Sequence, residues 1–123
     1  MRSFYIACAI LLAIITLIIF NSCWVTSKIE RLLTLCEAIE SKSAGDDADA
    51  LLEQLLSDWD DCRDKLSLSI SHEEIDRAES ALFMLASYYF SGRDAYFRAQ
   101  LQSFKSALRH IADAQEFSAG NIF

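Results

Sequence analysis

Residues 4–25 read FYIACAILLAIITLIIFNSCWV, and the rest of the chain follows from how this stretch is read. From Phe4 to Phe20 only Thr16 interrupts the apolar run, and no side chain is charged. As an α-helix the whole stretch extends roughly 33 Å, enough to cross the hydrocarbon of a bilayer. One competing reading is a cleaved secretory signal, with Arg2 as its positive start. A signal core is usually about 7–15 residues long and closes on small residues. This run is longer and leaves through Phe20-Asn21-Ser22-Cys23-Trp24. Lipidation of Cys23 is a third reading: Ser22 suits it, but Phe20 and Asn21 are unlike the residues that precede such a cysteine. A retained membrane anchor over residues 1–25 fits best, with Trp24 where an interfacial ring belongs.

Lysine and arginine near the segment set its orientation, and here Arg2 opposes Lys28 and Arg31. That balance is close to even. Three residues precede the apolar run and a whole domain follows it, which favours export of the domain to the extracytoplasmic side. Residues 26–123 hold ten Lys and Arg against eighteen Asp and Glu, a net charge of −8. Nucleic-acid binding needs a basic face to neutralise phosphates, so this acidity excludes nucleic acid as a partner class. Some 98 residues suffice for one domain with one core.

The chain has no proline and three glycines, Gly45, Gly92 and Gly120, so little interrupts long helices. Apolar residues recur at three-four spacing in four places: Ile29, Leu32, Cys36, Ile39; Leu52, Leu55, Trp59, Cys62, Leu66; Ile75, Ala78, Leu82, Leu85, Tyr89; and Phe97, Leu101, Phe104, Leu108, Ile111. Each set is the apolar seam of an amphipathic helix. The connections, 42–47, 67–71 and 91–94, are short, which makes neighbours antiparallel. The first helix continues out of the anchor, since no breaker lies between Val25 and Ser41. Ser71 followed by Glu74 predicts a capping box, and Asp94 predicts a cap on the last helix. The expected fold is all-α: a transmembrane helix leading into an antiparallel up-down bundle of about four helices. The bundle domain occupies residues 26–112 and a C-terminal tail 113–123.

An antiparallel pair turning near Gly45 sets Cys36 and Cys62 about seven residues out of register, some 10 Å along the axis. A disulfide needs Cα atoms within about 7 Å, so both are expected as free core thiols. The hairpin turning at Gly92 brings the only two histidines, His72 and His110, to one end. His72 and Asp76 lie one turn apart on one face, with Glu79 next along it. Two imidazoles and two carboxylates offer a candidate metal or acid-base site at His72, Asp76, Glu79 and His110. End electrostatics account for the same residues without a ligand, because acidic groups suit a helix start and a cation suits a helix end. His72-Glu73-x-x-Asp76 lacks the second histidine of the zinc motif H-E-x-x-H. No nucleophile elbow, phosphate loop or CxxC pair is present, so neither enzyme activity nor a cofactor is expected.

Phe83, Met84, Tyr88, Phe90 and Tyr96 surround the Gly92 turn in excess of what two seams can bury. Packing against the first two helices is one use for them. A partner-binding patch at Phe83, Tyr88, Phe90 and Tyr96 is the other, because aromatic residues and Met are enriched at interfaces. Asp46, Asp47 and Asp49 lack the glycine and terminal glutamate of a calcium loop and read as solvated charges. Asp58, Asp60, Asp61 and Asp64 form an acidic stripe on the second helix, and Arg98, Lys105 and Arg109 a basic one on the fourth; the two stripes are expected to select which helices pair.

Trp59 followed by Leu66, then Ile70-x-His72-x-Glu74-Ile75-Asp76-x-x-Glu79, then Leu108-x-His110-Ile111 and a closing Asn121-Ile122-Phe123, resembles a bacterial family of small anchored helical proteins. It is the domain-of-unknown-function family forty-three sixty-three, common in spore-forming Gram-positive bacteria. The resemblance covers nearly the whole chain. It implies an N-terminal membrane segment and an all-helical remainder, and it implies no activity. The expectation is therefore a single-pass membrane protein whose bundle is an interaction or scaffold module for another membrane protein or for itself. Up-down topology returns His72, His110 and the C-terminus to the bilayer, where Phe117, Ile122 and Phe123 would meet the surface or cap the bundle.

Overall fold

The computed structural model describes the backbone of residues 1–42 and 47–122, and the side chains of residues 1–42 and 47–115. Gly45, Asp46 and the side chains of Phe117, Ile122 and Phe123 lie outside the described residues. Four helices follow in order: α1 Arg2–Glu40, α2 Asp49–Leu66, α3 His72–Phe90 and α4 Asp94–Ile122. Among the described residues there is no strand. α1 runs without interruption from the apolar segment into the bundle; its apolar window is long and apolar enough to cross a membrane, and none of it is buried. α4 continues as helix through residues 113–122, the stretch set apart above as a tail.

Helix ends are settled by local chemistry. At the start of α3 the Ser71 hydroxyl accepts from the Glu74 backbone N–H at 3.4 Å. The reciprocal half of the capping box is replaced, since the Glu74 carboxylate lies against His110 instead. α3 ends at Phe90 just before Gly92, the one residue of positive φ among the described residues, +74°. There Gly92 N–H donates to Tyr89 O at 3.2 Å and Arg93 N–H to Tyr88 O at 2.9 Å. This is the paired bonding of a Schellman motif, which needs a left-handed residue at that point. Asp94 is the first residue of α4, not its cap: its carboxylate takes Arg98 Nε at 3.0 Å.

The four seams read from the sequence converge on one core. Every seam residue except Tyr89 is buried, and Val25, Ala48, Ile70, Ala81 and Ala107 join them. Each such Leu, Ile or Phe contributes roughly 1.5–3 kcal/mol by leaving water. α1 packs between α2 and α4, α4 packs most closely on α3, and of the neighbouring pairs α2 and α3 touch least. Trp59 of α2 and Phe104 of α4 meet edge to face across the middle, with centroids 5.8 Å apart at 79°. That geometry adds about 0.5–1.5 kcal/mol beyond burial. The packed body extends further up α1 than residue 26: Val25 is fully buried, and Asn21 Nδ2 donates to Ser69 Oγ at 3.0 Å.

The opposed charge stripes do not pair. α2 and α4 stand diagonally across the bundle, so each stripe finds its partner on α1. Asp58 lies 3.2 Å from Arg31, and Lys105 lies 2.6 Å from Glu40. Lys105, read from the sequence as part of the basic stripe, is itself buried, at 6% exposure.

Candidate functional site

The antiparallel α3–α4 hairpin does bring the two histidines to one end, but it does not bring them together. His110 Nε2 lies 3.1 Å from Glu74 Oε1. Glu74 is two residues from His72, about 200° around the helix, so the face of α3 that meets α4 turns His72 away from it. His72 and Asp76 are exposed. Glu79 faces α2, where its Oε1 lies 2.7 Å from Arg63 Nε and accepts from Trp59 Nε1 at 3.4 Å. The four candidate ligands are thus divided among three surroundings. Among the described residues no group of three His, Cys, Asp or Glu side chains could hold a metal ion.

The aromatic residues divide too. Phe83 and Phe90, seven apart, share the flank of α3 that also carries Glu79, the α2 side. Both are exposed, at 58% and 63%. Met84 and Tyr88 lie on the opposite flank, where Tyr88 meets Tyr96 of α4 at 5.3 Å. Tyr89 faces between them, packs on Phe97 at 5.3 Å, and ties α3 to the start of α2. Its hydroxyl donates to Asp49 Oδ1 and accepts from Ala48 N–H. The bond to Asp49, with partial burial behind it, raises the Tyr89 phenol above its ordinary pKa.

Two features were not read from the sequence. The first is a half-buried ion pair between α1 and α4. Glu40 accepts from Lys105 Nζ and from Gln102 Nε2, both at 2.6 Å. The Lys105 bond first, then the Gln102 bond, holds its carboxyl below the usual glutamate value. The signal available was that Lys105 follows Leu101 by four residues and precedes Leu108 by three, which sets it beside the seam.

The second lies where α1 leaves its apolar stretch. The ammonium groups of Lys28 and Lys65 both stand 5.8 Å from the Trp24 ring centroid. A cleft of 380 Å³ between α1 and α2 opens beside them, and a second cleft of 410 Å³ continues toward the apolar segment. Trp24 and Lys65 line both. Lys65 is brought to Trp24 by the return of α2, a relationship no local pattern records. The buried thiols do not contribute: burial pushes Cys36 up to about 12 and Cys62 up to about 11, and all four cysteines are free.

No curated protein and no solved structure matches the chain. A family model does, over residues 21–122, beginning at Asn21, whose side chain hydrogen-bonds Ser69. The match spans all four helices of the body, and the chain belongs to the family described as Domain of unknown function (DUF4363).

Proposed function

We propose that the chain is a single-pass membrane protein held by α1, whose helical body is a non-enzymatic interaction or scaffold module on the extracytoplasmic side. Its partner is a second membrane protein or a second copy of the chain. The observation that carries this reading is the exposed flank of α3. Phe83 and Phe90 stand at 58% and 63% exposure beside the seam where α2 and α3 touch least. The core is already filled without them, and exposed aromatic side chains at a loosely closed seam suit a further helix. The unburied apolar part of α1 supports the anchoring.

A photoreactive phenylalanine at position 83 or 90, incorporated into the full chain in its native membrane, tests the partner surface. The expected result is a discrete adduct, to a membrane protein or to a second copy, that is absent with the same group at the exposed Asp60. Equal labelling at all three positions would remove the surface from consideration. Protease added to intact cells is expected to degrade the body; protection there with cleavage in inverted vesicles would reverse the assigned side.

A further inference from the structure

We propose that the point where α1 emerges from the bilayer carries a binding site for an anionic phospholipid. Its phosphate sits between Lys28 and Lys65, and an acyl chain lies in the groove of Leu17, Phe20 and Leu68. The inference rests on α1 being a membrane anchor.

Four observations converge on it. Lys28 and Lys65 come from different helices yet hold their ammonium groups at equal distances from one ring, 5.8 Å from the centroid of Trp24. Neither forms an ion pair among the described residues, although the body around them is strongly acidic. Both also line one cleft with Trp24, so a single anionic group seated there meets two cations. The carboxylates of the same cleft are Asp58, held by Arg31 at 3.2 Å, and Asp61. Both precede Lys65 on α2, a helix that runs toward the anchor, so they lie farther from the bilayer.

The apolar half of the site lies on the opposite side of Trp24. Leu68, in the connection between α2 and α3, is 87% exposed, and it shares the 410 Å³ cleft with Leu17 and Phe20 of the anchor. The connection is fixed to α1 by the Asn21–Ser69 hydrogen bond, so Leu68 is held level with the end of the apolar run. A leucine this exposed would be unfavourable in water and is favourable against hydrocarbon. Cationic side chains at the headgroup level, an interfacial tryptophan and an apolar groove below them match the three zones of a phospholipid.

The test uses the full chain reconstituted into phosphatidylcholine vesicles with an equal minor fraction of dibrominated phosphatidylglycerol or dibrominated phosphatidylcholine. Bromine quenches nearby tryptophan; Trp59 is buried and supplies an unquenched baseline. The expected result is stronger quenching of Trp24 by the brominated anionic lipid, reflecting an enrichment of about fivefold for each lysine. K28Q/K65Q is expected to lose the preference, and K28R/K65R to keep it, with helical melting unchanged in both. Equal quenching by the two lipids, or a preference that survives K28Q/K65Q, would overturn the lipid site while leaving the anchor intact. Failure of the chain to float with the vesicles would overturn the anchor and the site together.

Discussion

Lys105 Nζ and Glu40 Oε2 stand 2.6 Å apart and join the middle of α4 to the last residue of α1. The lysine side chain is 7% exposed and that of the glutamate 37%. The pair is therefore asymmetric: the ammonium depends on the carboxylate more than the carboxylate depends on it. Removing one partner of a buried pair costs about 3–5 kcal/mol, and the partial exposure of Glu40 reduces this to about 2 kcal/mol for Glu40→Ala. Lys105→Met keeps the apolar volume and removes the charge, and is expected within about 1 kcal/mol of the parent. Denaturant melts of the full chain in detergent check both, and equal losses in the two variants would contradict the asymmetry.

The same pair sets a pH dependence. Glu40 has its carboxyl lowered from 4.5 in the folded chain, first by the Lys105 hydrogen bond and then by that of Gln102. Because the folded value lies below the unfolded one, the stabilisation is complete above pH 4.5 and is lost as pH falls through the folded value. Melting temperature followed from pH 7 into this acid range is expected to fall more steeply in the parent than in Glu40→Gln.

Trp59 is the largest fully buried side chain, and its ring faces Phe104 edge to face. Trp59→Ala is expected to destabilise by about 3–5 kcal/mol through the cavity it leaves. Trp59→Phe keeps a ring against Phe104, leaves a smaller cavity, and loses the long Nε1 bond to Glu79, which Arg63 continues to hold. Its cost is expected near 1–2 kcal/mol, measured by the same melts.

Thiol labelling separates the cysteines. Raising Cys36 from 9.0 to about 12 leaves roughly a thousandfold less thiolate at neutral pH, and burial blocks access as well. Cys62 is similarly shielded, whereas Cys23 is exposed. A polar maleimide is expected to modify one site rapidly in the folded chain in detergent and to lose that site in Cys23→Ser. Cys36 and Cys62 are expected to react only after denaturant is added.

The division between what was legible in the sequence and what was not follows the range of each interaction. A helix repeats every 3.6 residues on its own, so Ile29 to Ile39, Leu52 to Leu66 and the other two seams could be read directly, and all of these residues but Tyr89 are buried in the core. Ser71 at a cap and Gly92 at a turn are equally local. Register along a hairpin is also local, which is why both histidines fall at one end.

Rotation about each helix axis is a different matter, because it is decided only when neighbouring surfaces interlock. A difference of about 200° around α3 gives His110 to Glu74 and leaves His72 in solvent, and the same rotation separates Phe83 and Phe90 from Tyr88. The diagonal placement of α2 and α4 sends Lys105 to Glu40 and Asp58 to Arg31. Sequence alone determined four amphipathic helices led by an apolar segment, because each pattern is closed within one helix. Tertiary structure alone decided which polar side chains meet and that Lys65 joins Trp24 and Lys28, because side-chain pairing between helices depends on relative rotation, which no single helix encodes.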